Sequence, residues 1–262
     1  MGKISVDNWH DGLVHIVLAL LAGSFIGTVL GLVGAGGAML SVPILLYIFH
    51  FSPTHATTAA LAVVFLAAGF GTIPKFRSKD VLIRDAATIW GIGLITNIGG
   101  AAISKHLSGN VIVTGFALVL CLAGSSMLRK PLTSNPEKRI PFSILIVISL
   151  IIGAMTGLFG IGGGFLAIPV LVLFYHTPQN KAAGTSLLII ALNSITAFFA
   201  HHSIWHEIRW SIPIAMGSAA IIVSTLASHN SHKVPAAKLR RYFALLLFTI
   251  AAYSLVRTWV LN

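Results

Sequence analysis

Long apolar runs alternate with short polar clusters along the whole chain. Their spacing predicts ten apolar segments, at 13–33, 38–49, 55–73, 82–104, 110–128, 141–158, 164–175, 182–200, 210–228 and 241–260. Most approach the roughly 20 residues that an α-helix needs to cross about 30 Å of hydrocarbon. Segments 38–49 and 164–175 are shorter, at about a dozen residues or about 18 Å of helix, and each follows a glycine cluster. The pattern therefore predicts an all-α, polytopic transmembrane bundle with two broken or re-entrant helices. The N-terminal run follows a polar leader containing Asp7 and Asp11 and continues beyond the length of a signal-peptide core, so it is read as a retained first span.

Composition supports that class. Of 262 residues, 56% are hydrophobic and 9% charged, with a mean hydropathy of +0.92, whereas about a quarter of a soluble domain is charged. The net charge of +11 does not point to nucleic acid, because the cations lie in short clusters between spans. If every segment reverses the chain, Lys75, Arg77, Lys79, Arg84, Arg129, Lys130, Lys138, Arg139, Lys181, Lys233, Lys238, Arg240 and Arg241 share one side, against Lys3, Lys105, Arg209 and Arg257 on the other. That bias places the first group in the cytoplasm and predicts an integral plasma (inner) membrane protein. Cys121 stands alone within an apolar run and reads as a packing residue.

The strongest pattern is an internal repeat. Residues 31–43 read GLVGAGGAMLSVP and residues 157–169 read GLFGIGGGFLAIP, with Gly31, Leu32, Gly34, Gly36, Gly37, Leu40 and Pro43 recurring 126 positions later. His50 and His176, then Pro53 and Pro178, follow in the two copies. Five segments per half would invert the second copy relative to the first, as in many secondary transporters. The expected division is a first membrane repeat at 1–130, a cytoplasmic linker at 131–140 and a second membrane repeat at 141–262.

The glycine clusters are where chemistry is expected. A helix that starts inside the membrane leaves its first N–H groups unpaired, and an anion satisfies them at the positive end of the helix dipole. Glycine permits the backbone turn and a close approach; close helix packing is the competing explanation. The candidate substrate-binding residues are Gly34, Gly36, Gly37, Thr57, Thr58, Gly160, Gly162, Gly163, Gly164, Thr185, Ser186 and Asn193. All six acidic residues lie in tails, in loops or near span ends, which disfavours a cation as substrate. His50 and His176 are proton-coupling candidates. His201, His202 and His206 read better as an interfacial loop with Trp205 and Trp210 than as a metal site. No nucleophile, carboxylate pair or nucleotide motif suggests an enzyme or a cofactor.

The duplicated glycine motifs, each followed by a proline and then a small polar patch (Thr57-Thr58-Ala59 and Gly184-Thr185-Ser186), resemble the sulfite exporter TauE/SafE family, also called the toluene sulfonate uptake permease family. The resemblance covers nearly the whole chain, with its specific content in 27–75 and 153–202. The first copy departs from the second in lacking the serine. The resemblance implies a secondary transporter for sulfite, sulfonates or related small anions, with protons as a coupling candidate. An anion channel and a membrane subunit of a larger complex are the alternatives. The expected partners are a small anion and the lipid bilayer.

Overall fold

The computed structural model describes residues 6–34, 37–128, 142–160, 167–168, 171, 177–231 and 236–260. These residues form helices and connecting turns, with no strand among them. In chain order the helices are α1 (Val6–Val33), α2 (Gly37–Tyr47), α3 (Pro53–Arg77), α4 (Ile83–Ser104), α5 (Gly109–Leu128), α6 (Phe142–Phe159), α7 (Gln179–Ala200), α8 (Ser211–His229) and α9 (Ala236–Trp259). A 3₁₀ turn, His202–Glu207, joins α7 to α8. The second short segment, 164–175, lies almost wholly outside the described residues; Ala167 and Leu171 of it are buried.

Local chemistry sets the boundaries. Ser52 caps α3, its hydroxyl accepting from the His55 amide at 3.4 Å, and Pro53 opens the helix where its missing N–H costs nothing. α1 and α6 stop at Gly34 and Gly160, the two described glycines with left-handed φ, +80° and +69°. Each of these glycines donates its amide to a carbonyl four residues back, Leu30 at 2.8 Å and Thr156 at 2.9 Å.

Polarity is distributed as in a protein solvated by lipid. Large apolar side chains such as Leu13, Leu21, Ile95, Ile214 and Ile222 face outward. Small residues, notably Ala56, Ala59, Ala60, Ala67 and Ala68, make up much of the buried face of α3, which lets neighbouring helices approach closely. Five helices are long and apolar enough to cross a membrane by length and composition: 13–33, 53–77, 83–104, 180–200 and 211–229. α3 and α7 are the most enclosed of these, at 67% and 61% buried.

α3 and α7 run antiparallel at the centre. Thr58, near the start of α3, bonds His201 just after α7, and Lys75, near the end of α3, packs on Gly184 near the start of α7. Two parallel helix pairs flank them. In one, Gly23, Gly27 and Gly31 of α1 lie against the backbone of α8 at Met216, Ala220 and Ser224. In the other, Gly153 and Gly157 of α6 lie against the backbone of α4 at Gly93 and Asn97. Gly27 and Gly31 correspond to Gly153 and Gly157 through the 126-residue offset. Glycine is needed at these contacts because a Cβ would strike the facing backbone.

The first short segment crosses the bundle. Gly34 lies beside Ala183 near the start of α7, whereas Ser52 leads into the opposite end of α3. The eleven residues of α2 supply about 16 Å of rise, and residues 48–52, which are not helical, complete the passage. This segment thus reverses the chain instead of looping back to the side it started from.

Candidate functional site

The two helix breaks contact the central helices reciprocally. A Cβ on Gly34 would meet Ala183 of α7 at 2.5 Å, and one on Gly160 would meet the Thr57 carbonyl of α3 at 2.7 Å. Ala183 and Thr57 are themselves 126 positions apart, so each break is seated on the central helix of the other half at the equivalent position. The second halves of the two motifs also match: Phe51 donates to the Leu45 carbonyl and Thr177 to the Leu171 carbonyl, both at 3.0 Å.

The breaks do not converge. Gly160 sits at the Thr57 end of α3 and Gly34 at the Lys75 end, separated by about 27 Å at roughly 1.5 Å of rise per residue. A single small anion cannot bridge both in this conformation. The two breaks are therefore separate, equivalent positions at opposite ends of the bundle.

The side chains predicted for the site fall into distinct environments. Ser186 donates to the Gly34 carbonyl at 2.8 Å and so closes the α1 break. Thr185 donates to the Lys181 carbonyl at 2.7 Å and accepts from the Leu82 amide at 2.9 Å, which ties the α3–α4 turn to α7. Thr57 is 1% exposed, and its hydroxyl has no partner among the described residues. Thr58 meets His201. Gly37 begins α2 where a side chain would strike the α1 backbone at Ile26, so packing alone explains that glycine. Gly36, Gly162, Gly163, Gly164 and His176 lie outside the described residues. His50 has φ +56° and lines an open cleft of about 390 Å³ with Phe49, Ser52, His55, Glu207 and Arg209, where His55 and Glu207 pair at 3.1 Å. It is exposed.

Asn193 is at mid-span and meets a residue that the sequence reading missed. The Asn97 amide on α4 donates to the Asn193 carbonyl at 2.9 Å and to its Oδ1 at 3.0 Å, with both side chains fully buried. Asn193 Nδ2 and Asn97 Oδ1 have no partner among the described residues, which leaves one donor and one acceptor unused at the centre of the bundle. Unmade bonds of buried amides cost about 1–3 kcal/mol each, so a ligand that supplied them would be held there. Asn97 could have been found as an amide centred in an otherwise apolar span.

Only Lys75 and His201 are buried ionisable side chains among the described residues, at 2% and 0% exposure. They occupy equivalent positions 126 residues apart. Lys75 donates to the Ser231 hydroxyl at 2.6 Å. His201 bridges Thr58 Oγ1, 2.9 Å from Nδ1, and the Gly157 carbonyl, 3.3 Å from Nε2. Burial pushes the His201 imidazole down to about 4, with nearby Lys105 adding to the depression and the Gly157 carbonyl opposing it.

The model of the family described as Sulfite exporter TauE/SafE matches residues 19–254. A probable membrane transporter protein of Xylella fastidiosa is 27% identical, covering 93% of this chain and 96% of its own length. The probable membrane transporter protein YunE of Bacillus subtilis is 26% identical over 84% of this chain and 90% of its own. A probable membrane transporter protein of Methanocaldococcus jannaschii is 27% identical over 93% and 97%. No solved structure matches. With all but the two ends of the chain inside the family match, this chain belongs to the sulfite exporter TauE/SafE family.

Proposed function

We propose that the protein is a secondary transporter that carries a small sulfur-containing anion, sulfite or a sulfonate, across the plasma membrane, with protons as the coupling ion. The observation that carries this reading is the reciprocal seating of the breaks, Gly34 on Ala183 and Gly160 on Thr57. Two half-chains of opposite orientation, each ending a helix against the other's central helix, supply two pseudo-equivalent conformations, one open to each side. The unused Asn193 donor lies between them and takes an anion oxygen as it passes. The basic loops then face the cytoplasm, and the end of the bundle that holds His201 faces the opposite side. The relatives named as probable membrane transporters support the general activity.

The test is counterflow in proteoliposomes. Vesicles preloaded with unlabelled sulfite accumulate labelled sulfite transiently if a carrier exchanges it, and Gly34→Val abolishes that exchange. Flux that equilibrates without a transient overshoot identifies a channel instead. Absence of sulfite and sulfonate flux rejects the proposed substrates.

A further inference from the structure

We propose that the seam between α3 and α8 ends in an anion-binding site, where the Lys75 ammonium and the Ser228 hydroxyl take the oxygens of a small sulfonate or sulfite ion. This rests on the anion-transport reading and gives it a binding residue at one end of the bundle.

The seam brings both groups to one place. Ala67, Gly71 and Lys75 recur every four residues along α3, a spacing that stacks them on one face. The Ser224 hydroxyl of α8 donates to the Ala67 carbonyl at 2.8 Å, and a Cβ on Gly71 would lie 3.5 Å from Ser224 Oγ. Lys75 Nζ donates to the Ser231 hydroxyl at 2.6 Å, just past the end of α8. Ser228 falls between Ser224 and Ser231 at helical spacing. The Ser231 hydroxyl donates to the Ser228 carbonyl at 2.9 Å.

The groups gathered there are donors in want of an acceptor. Lysines near a span end ordinarily reach for water, as the exposed Arg77 and Lys79 do. Lys75 instead turns inward and is 2% exposed. An ammonium offers three N–H donors, and its one acceptor among the described residues is the neutral Ser231 hydroxyl. No described carboxylate forms an ion pair with it. Asp80, the carboxylate whose charge reaches Lys75, accepts from the Ser78 hydroxyl at 2.9 Å. A buried charge without an ionic partner is costly, and an anion removes that cost. The Ser228 hydroxyl, 1% exposed, also has no partner among the described residues. It supplies a further donor to the same ligand.

The opposite end of the bundle repeats the arrangement with its sides exchanged. The 126-residue offset carries Lys75 to His201 and Ser231 to Lys105. Lys105, just past α4, donates to the Ala200 carbonyl at 3.2 Å and to the Ser203 hydroxyl at 2.9 Å. Each end therefore holds one lysine bonded to neutral oxygens, supplied by the central helix at one end and by the flanking helix at the other. A cation at both ends suits an anion that passes between them. On the orientation proposed above, Lys75 marks the cytoplasmic mouth.

The test measures methanesulfonate affinity of the full chain in detergent by calorimetry. Lys75→Met and Ser231→Ala break the same Lys75–Ser231 bond, but only the first removes the cation. Lys75→Met should weaken binding about tenfold or more, because a hydrogen bond to a charged group is lost. Ser228→Ala should weaken it about threefold, as the loss of one hydroxyl donor. Ser231→Ala, which frees the ammonium, should bind as tightly as wild type or more so. If Lys75→Met does not yield folded protein, Lys75→Gln provides the same comparison. Wild-type affinity in the Lys75 variant, or equal losses in the Lys75 and Ser231 variants, overturns the site while sulfite counterflow persists. Absence of methanesulfonate binding by the wild type also overturns the site, and absent counterflow in addition overturns the transport reading.

Discussion

The Asn97 side chain of α4 donates to the backbone carbonyl of Asn193 on α7 at 2.9 Å, and the Ser224 hydroxyl of α8 donates to the carbonyl of Ala67 on α3 at 2.8 Å. Ala67 and Asn193 are 126 residues apart, Asn97 and Ser224 are 127 apart, and all four are buried. One bond is thus built twice, with different side chains as donor. Asn97→Val should lower stability by about 1–2 kcal/mol, since hydrogen bonds between membrane helices are worth about that much or less. Asn97→Ser, which borrows the donor of the other crossing, should lose less. Thermal unfolding in detergent ranks the two variants; an Asn97→Val protein as stable as wild type would mean that the crossing is held by packing alone. Asn193→Leu should reduce sulfite counterflow at least tenfold if the unused amide donor meets the substrate.

Glycines in the same helices should respond oppositely to alanine. A Cβ on Gly153 would enter the Gly93 carbonyl of α4, so Gly153→Ala forces the α4–α6 pair apart and should cost about 1–3 kcal/mol. Gly99 has nothing within 4 Å of such a Cβ. Gly99→Ala should therefore be neutral or gain up to about 1 kcal/mol from helix propensity. Equal melting temperatures for the two variants would contradict the close approach.

At the breaks, conformation and space both oppose a side chain. Gly34→Ala and Gly160→Ala place a Cβ in left-handed backbone, at about 1–2 kcal/mol, and against Ala183 or Thr57. Each should destabilise by more than the conformational term alone. Their effects should add, because the sites lie about 27 Å apart along the bundle at roughly 1.5 Å per residue. Strong non-additivity in the double variant would show that the two ends move as one.

Acid should weaken the fold through His201. Its folded pKa, about 4, lies below the ordinary value of 6.5. Between those values the unfolded chain binds more protons than the folded one, so stability declines as pH falls from about 6.5 towards 4, by at most on the order of 3 kcal/mol. Above pH 6.5 this group contributes no slope. In His201→Gln the decline between pH 6.5 and 4 should be shallower, as read from melting temperatures at fixed salt. An unchanged slope would place the acid sensitivity elsewhere.

Much of this architecture was legible before the structure. Segments such as 55–73 and 82–104 correspond to α3 and α4 because the hydrocarbon thickness dictates a length that composition alone reveals. Gly34 and Gly160 were legible as breaks because only glycine adopts left-handed backbone without strain. The equivalence of Lys75 with His201 was hidden, since no identity marks either position and a burial pattern is a property of the assembled bundle. Asn97 and Ser224 escaped because the register slips by one residue between them. The position of the breaks at opposite ends could not be read from local sequence either: it follows from the antiparallel course of α3 and α7, which is a long-range contact.

The flanking pairs, α1 with α8 and α4 with α6, each take one member from the segment before residue 130 and one from the segment after it. The halves are clasped like interlaced fingers, and neither keeps its glycine faces covered alone. Expressed separately, 1–130 and 141–262 should each be degraded or aggregate, whereas co-expression should restore a complex that purifies as one species. In a ribosome-bound chain, α1 must wait in lipid with Gly23, Gly27 and Gly31 unmatched until α8 has been inserted, nearly two hundred residues later.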